Sequence, residues 1–559
     1  MSTAAGHSTP VPDLPPGLGL VPRPTQVREI DSAPLVLDAA AHVRVGAGAE
    51  AGARALRAVL RTAGNLPLAP THTPHAAVFV ALDGDQPAGG YSLAISHDRL
   101  RLLGGDVDGL LAGVQTIRQL LPPDQLAGPL FAAGGGPLRT VTLPAVHVVD
   151  APVSSWRGVL VDVARHLLPL PELLRIVDGV ALSKINRLHL HLTDDQGWRL
   201  PVPGWPKLTE VSDWRPRSTA GHVEEHHLDD LPHGGHYTRA ELALLVEYAA
   251  VRGVTVVPEI DLPGHMVAAI AAYPELGCAP GTPVTVRETW GISDNVLAPT
   301  EQVLAFLRDV LDAVCDVLPS PWVHLGGDEC PTIAWETSEV GRRRLAELGL
   351  AGPRGFQHWF ATELSTYLAS KGRTSVFWHE VLEAGVPDGG VVMSWLEQEH
   401  GVTAARRGHD VVMSPNTATY LDYYQRDPAT HPDEPLAIGG LVTWQDVLAL
   451  VPVPPELAGE AAAAHVIGVQ GNLWTEYVRD GGHAAYLLFP RICALAEVGW
   501  SGPGSDPVEF AGRLQAHVRR LEALGLAHGA VAGRSRRPAP SPNAAGTGCS
   551  APRRRRTRS

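Results

Sequence analysis

The sequence predicts a (β/α)8 barrel preceded by a small α+β domain, and two observations carry that prediction. From Trp156 onward, eight short apolar runs alternate with stretches of helical periodicity: RGVLVDVA, RLHLHLT, VTVVPEI, WVHLGG, TSVFW, GVVMSW, HDVVMS and HVIGVQGNLW are the strand-like runs. Strands that alternate with helices build parallel βαβ units. Polar or aromatic residues then gather just after each run, where a parallel barrel carries its βα loops and its reactive groups. The roughly 350 residues involved are enough, since this fold takes about 250 or more.

The elements follow in order. Residues 1–15 are rich in Ser, Thr, Pro and Gly and read as a disordered N-terminus. Residues 16–150 mix both periods: HAAVFVALD and YSLAISHDRLRLL read as strands, while Leu110, Val114, Ile117 and Leu121 recur at helical spacing. The barrel is expected over 151–530. Its helices include the stripe Leu173, Ile176, Val177 and Val180 behind Pro171, then ELALLVEYAAVRG and TEQVLAFLRDVLDAVCDVL. Residues 531–559 combine Pro, Ser and Gly with an Arg run and read as a disordered basic tail.

Composition narrows the function classes. The chain has 559 residues, 45% hydrophobic and 19% charged, which suits a globular protein with a sizeable core. Net charge is −14, yet the residues after Gly533 hold eight Arg and no Asp, Glu or Lys, so residues 1–533 stand at −22. A body this acidic repels phosphate backbones, and the basic tail lacks the aromatics of a base-reading module, so nucleic acid is not an expected partner. The five Cys (278, 315, 330, 493 and 549) show no CxxC or paired spacing that would build a zinc site or a disulfide framework. No run of about 18 apolar residues is present, so no membrane span is expected. The start lacks a basic n-region and an apolar core; the expectation is a cytoplasmic protein, or an exported one if the true start lies upstream.

The strand ends supply the chemistry. Arg157 lies near the first; Asp194 and Asp195 follow the second; Glu259, Asp261 and His265 the third; Asp328 and Glu329 the fourth. Trp378 ends the fifth run and Trp395 the sixth, Tyr420 and Asp422 follow the seventh, and Trp474 and Glu476 close the eighth. There is no phosphate-cradling Gly-rich loop and no Cys/His ligand set, so neither a metal nor another cofactor is expected. Carboxylates with tryptophans suit a sugar: indole faces stack on a pyranose, and carboxylates grip hydroxyls and supply acid catalysis.

With these residues assembled, His324-Leu-Gly-Gly-Asp328-Glu329 resembles the H-x-G-G-D-E signature of the family 20 glycoside hydrolases, the β-N-acetylhexosaminidases. The stretches from Trp156 to His166, Leu188 to Arg199, Pro258 to His265 and Leu473 to Glu476 resemble the family's other segments in the same order. The resemblance extends over about residues 20–505. It implies that the first domain is the α+β module that commonly precedes this barrel. It also implies an exo-acting, retaining enzyme that releases terminal GlcNAc or GalNAc from oligosaccharides or glycoconjugates such as chitin fragments. The nucleophile would be the substrate's own acetamide, by way of an oxazolinium ion. Carried over by motif, Glu329 would be the acid and base and Asp328 would hold the acetamide N–H. Tyr420 would bind the acetamide carbonyl, and Trp378, Trp395 and Trp474 would wall the N-acetyl pocket. Arg157, Asp422 and Glu476 would bind sugar hydroxyls, with Asp194, Asp261, His265 and His324 as support. Two alternatives stand beside this: an amino-sugar-binding protein on the same barrel, and a disaccharide-releasing glycosidase of the lacto-N-biosidase kind.

Other residues read as structure. Asp195 should face away from Asp194 on an extended segment, and Arg165 and His166 read as scaffold. The five His between 222 and 236 are irregularly spaced, so the segment reads as a long βα loop rather than a metal site.

Overall fold

A computed structural model describes residues 18–126, 139–531 and 534–537. The expected disorder of residues 1–15 and of the tail after residue 537 lies outside the described residues. Eight parallel strands close into a barrel in chain order: Trp156–Asp162, Arg187–His191, Thr255–Glu259, Trp322–His324, Thr374–Trp378, Val391–Ser394, Val411–Met413 and Val466–Leu473. Closure is direct, with Trp156 of the first strand opposite Gly468 of the last. Each apolar run of the sequence is one of these strands. They are Val- and Leu-rich throughout because both faces are covered. Trp156, Leu160, Trp378 and Met393 turn inward to a small central cluster, while Val159, Val161 and Val392 turn outward into the shell beneath the helices.

Local chemistry sets the helix starts. Pro171 sits in the first turn of the helix Leu170–Leu182, where a missing N–H costs nothing. Thr300 accepts from the Val303 N–H at 3.2 Å to open Glu301–Val317, and Thr238 and Glu241 form a reciprocal cap on Arg239–Ala250.

The first domain is a seven-stranded mixed sheet. The run YSLAISHDRLRLL is two strands rather than one: Tyr91–Ile95 pairs antiparallel with Leu100–Gly104 around a turn closed by Ser96 and Arg99. The helices Glu50–Gly64 and Val107–Leu120 pack on each other over this sheet. The domain meets the N-terminal end of the barrel through a buried polar knot. Asp150 accepts from Lys184 Nζ at 2.7 Å, Tyr91 Oη at 3.0 Å and Trp500 Nε1 at 2.9 Å.

At the C-terminal end, the ordered chain passes the boundary that the sequence suggested. His528–Val531 pairs antiparallel with Arg534–Arg536, and Arg536 donates to the Glu522 carbonyl at 2.7 Å. Pairing of this segment with a strand overrides its polar composition. Among the described residues no helix is long and apolar enough to cross a membrane.

Candidate active site

The C-terminal ends of the strands surround a cavity of about 230 Å³. Of the residues singled out in the sequence, Arg157, Asp195, Glu259 and His324 do not line it. A larger cavity of about 420 Å³ lies against the start of the third strand and the first domain. Its charged lining is Arg54 and Asp108, with no group of reactive side chains, so the smaller cavity is where the chemistry sits.

The pair Asp328 and Glu329 is presented by a tight turn after the fourth strand. Gly326 has φ +63°, and a Cβ there would lie 1.6 Å from Asp261 Oδ1, so only glycine fits. Glu329 itself has φ +43° and His265 φ +51°, a left-handed conformation that is costly for a side-chain-bearing residue and is held here by the surrounding loops. Asp261 accepts from the Gly327 N–H at 3.2 Å and so ties the turn to the loop after the third strand.

Behind the pair runs a chain of alternating charge. His265 Nε2 lies 3.5 Å from Glu329 Oε2, and its Nδ1 lies 3.2 Å from Asp194 Oδ1. Asp194 Oδ2 lies 2.8 Å from Arg165 and 3.0 Å from His191 Nε2. Burial opposes ionisation of Asp194, but the Arg165 and His265 charges outweigh it and hold the carboxyl well below its usual range. Burial likewise works against a charged His265, and Asp194 and Asp261 overcome it, so the imidazolium is favoured. Glu329 is raised by burial and lowered more by the His265 contact, for a net fall. Asp328 behaves oppositely: burial is the main cause, His265 opposes it, the Glu329 charge adds to it, and the carboxyl is pushed up to about 6. Of the two neighbouring carboxyls, Asp328 therefore holds its proton to the higher pH. Asp261 is also raised well above its usual range, by burial and then by Asp328.

Two buried acceptors in this cavity lack a protein partner, Asp328 Oδ1 and Asp422 Oδ1. An unsatisfied buried carboxylate oxygen costs stability unless something else fills it. Trp378, Trp395 and Trp474 stand around these atoms, with the Trp395 and Tyr420 rings stacked at 6.0 Å. Tyr420 bridges to Asn472 of the eighth strand, and the Leu421 N–H donates to the Asn472 carbonyl at 2.7 Å, which brings Tyr420 and Asp422 beside Trp474 and Glu476. Burial, followed by the Glu476 charge, raises Asp422 well above its usual range; burial also raises Glu476, against the pull of Arg165.

Arg157 is a correction. It is the second residue of its strand, at the opposite end of the barrel from the cavity, and its Nε donates to the Lys184 carbonyl at 2.9 Å while the guanidinium packs over Trp500 at 4.8 Å. The arginine in the cavity is Arg165, which the sequence reading left as scaffold. It stands just past the strand end, held by Asp162 at 3.4 Å, by Gln196 at 3.1 Å and over the Trp474 ring at 5.2 Å. The available signal was its place after the strand end rather than near its start. Tyr423 and Ile438 also line the cavity unforeseen, because the loop that carries them has no pattern pointing inward. His324 lies beneath the floor, fully buried, with Nδ1 2.9 Å from Glu259 Oε1.

The expected structural residues fall into place. Asp195 bonds to the Val267 N–H at 3.1 Å and to Arg287 at 3.1 Å, away from the cavity. His166 Nδ1 lies 2.6 Å from the Thr475 carbonyl and joins the first and last βα loops. The histidines of 222–236 scatter: His222 packs on Tyr477, His233 accepts from the Leu167 N–H, His236 pairs with Asp213, and His226 and His227 face solvent. Among the described residues, ligand atoms close enough together to hold an ion occur instead in four buried groups: His189, Glu259 and His324; His191, Asp194 and Asp261; Asp194, Asp195 and His265; and Asp261, His265 and Asp328. In the first group Glu259 is already taken up by N–H donors.

Comparison with known proteins shows the family and the fold. The family model described as "Glycosyl hydrolase family 20, catalytic domain" matches residues 155–503, and "Glycosyl hydrolase family 20, domain 2" matches residues 17–151. A Beta-N-acetylhexosaminidase of Cellulomonas fimi is 33% identical over 534 residues, covering 91% of this chain and 96% of its own length. A Beta-hexosaminidase of Porphyromonas gingivalis is 33% identical over 524 residues, 92% of this chain but 65% of the relative, so the chain spans about two thirds of that protein. A crystal structure of the GH20 exo beta-N-acetylglucosaminidase from Vibrio harveyi with N-acetylglucosamine superimposes with a TM-score of 0.79 at 26% identity, over 92% of this chain and 79% of that one. The chain belongs to glycosyl hydrolase family 20.

Proposed function

We propose that this protein is an exo-acting β-N-acetylhexosaminidase that releases terminal, non-reducing β-linked GlcNAc or GalNAc from oligosaccharides or glycoconjugates, with the substrate's acetamide as nucleophile. The observation that carries this is the buried, unpartnered Asp328 Oδ1 in a tryptophan-walled cavity, with the Glu329 carboxyl beside it. An acetamide N–H satisfies that oxygen, and a hydrogen bond to a carboxylate is worth about 1.5–3 kcal/mol. With the N–H held by Asp328 and the carbonyl by Tyr420, the carbonyl oxygen is aimed at the anomeric carbon. The new C–O bond forms as the glycosidic bond breaks, and Glu329 gives its proton to the departing oxygen. Asp328 then faces the cationic oxazolinium as an anion. In the second half Glu329 takes a proton from water, which attacks the anomeric carbon from the side the leaving group vacated as the bond to the oxazolinium oxygen breaks and the acetamide is restored, so configuration is retained. Arg165, Asp422 and Glu476 are the groups available to the ring hydroxyls, in place of the Arg157 set first expected.

The test compares initial rates on the nitrophenyl β-glycosides of GlcNAc and of glucose. Turnover of the first alone is the expected result. Equal rates on both overturn acetamide participation and return the site to a two-carboxylate glycosidase. GlcNAc binding without turnover identifies a binding protein.

A further inference from the structure

Below the cavity floor lies a carboxylate that the reaction above does not use. Glu259 ends the third strand, is fully buried, and receives N–H groups from several sides. Trp378 Nε1 donates to its Oε1 at 2.9 Å. His191 Nδ1 lies 2.5 Å from Oε2, His189 Nε2 3.0 Å from Oε2, and His324 Nδ1 2.9 Å from Oε1. His191 and Trp378 donate from the second and fifth strands, and the His189 and His324 rings lie against the carboxylate from the second and fourth, so one side chain of the third strand touches neighbours from three others at the level of the floor.

Two of these contacts lead to groups that face substrate. Trp378 is a cavity wall. His191 Nε2 lies 3.0 Å from Asp194 Oδ2, Asp194 meets His265 Nδ1 at 3.2 Å, and His265 Nε2 stands 3.5 Å from Glu329. Reading outward, the groups alternate: carboxylate, imidazolium, carboxylate, imidazolium, acid. Glu259 is the inner end of that alternation, and it is needed for His191 to carry charge where burial disfavours it; with it, His191 is raised well above the usual range.

We propose that Glu259 is a positioning residue for glycoside cleavage: it orients Trp378 against the sugar and, through His191, Asp194 and His265, holds Glu329 where it delivers its proton. This rests on the reading of Glu329 as the acid. A glutamine at 259 keeps the shape but carries an N–H₂ toward groups that already donate and offers His191 no charge, so both arms are disturbed together.

The experiment measures kcat and KM of the whole chain on two substrates, 2,4-dinitrophenyl β-GlcNAc, whose leaving group departs without a proton, and N,N′-diacetylchitobiose, whose leaving group requires one. Glu329→Gln is the control and should lose far more on the chitobiose. Glu259→Gln is expected to lose at least tenfold more kcat on chitobiose than on the aryl glycoside, with KM raised on both through Trp378. His191→Gln leaves Glu259 and its bond from Trp378 in place; it should reproduce the kcat split without the rise in KM, and it decides the matter where Glu259→Gln does not fold. If Glu259→Gln and His191→Gln lose the same factor on both substrates while Glu329→Gln keeps its split, the relay is overturned and Glu329 stands as the acid. If Glu329→Gln itself shows no split, the acid assignment falls and this inference falls with it.

Discussion

At the residue scale, the site turns on two adjacent carboxyls pulled in opposite directions. Asp328 stands at about 6 because burial and the Glu329 charge outweigh the pull of His265. As the pH falls through that value Asp328 gains a proton and can no longer face a developing cation, so on an activated aryl GlcNAc glycoside, which needs no proton from Glu329, kcat/KM should decline as the pH falls through about 6, and Asp328→Asn should remove that dependence. Glu329 must carry its proton to act, so Glu329→Gln should lose about 10²–10⁴ on substrates with poor leaving groups. The two arginines separate cleanly in the same assay. Arg165→Lys removes a planar fork that meets Asp194 and Gln196, so kcat/KM should fall by about tenfold or more. Arg157→Met should leave KM unchanged and lower the unfolding midpoint, because that side chain serves the domain seam.

At the element scale, the turn after the fourth strand is where backbone and chemistry are least separable. Gly326→Ala drives a methyl group into the Asp261 carboxylate and demands a left-handed alanine. The expected outcome is a folded barrel with Asp261 displaced and kcat reduced by about 10²-fold or more, since misplacement of about 1 Å can cost that much; a crystal structure of the variant with normal turn geometry and full activity would contradict it. The left-handed Glu329 in the same turn has no sequence signature at all. The strands were legible because each is an unbroken apolar run, a pattern imposed by burial on both faces. The hairpin Tyr91–Ile95 with Leu100–Gly104 was read as one strand because its turn, Ser-His-Asp-Arg, lacks the Gly or Asn-Gly that marks tight reversals.

At the scale of the whole molecule, the first domain is joined to the barrel by charge as well as by apolar contact. Lys184 and Asp150 are both buried, and the same carboxylate binds Tyr91 and Trp500. Asp150→Ala strands the ammonium in a dry seam and should cost about 3–5 kcal/mol in chemical denaturation. Asp150→Ala with Lys184→Met should recover most of that loss, because replacement of a buried pair by apolar groups is often close to neutral.

The amino-acid order by itself determined the barrel, its eight strands, and the family signature, since periodicity and motif spacing are local properties that the chain carries before it folds. It also determined most of the cavity: once a parallel barrel is granted, residues after the strands must converge. Two things waited for the tertiary structure. One is which end of a strand a residue occupies: Arg157 and Arg165 lie in the same segment, and a strand of seven residues sends the first to the domain seam and the second to the cavity. The other is the network under the floor, where Glu259, His191, Asp194, His265 and Glu329 come from three strand ends. Contact between groups so far apart in the chain is set by barrel closure and register, and no local pattern in the sequence encodes it.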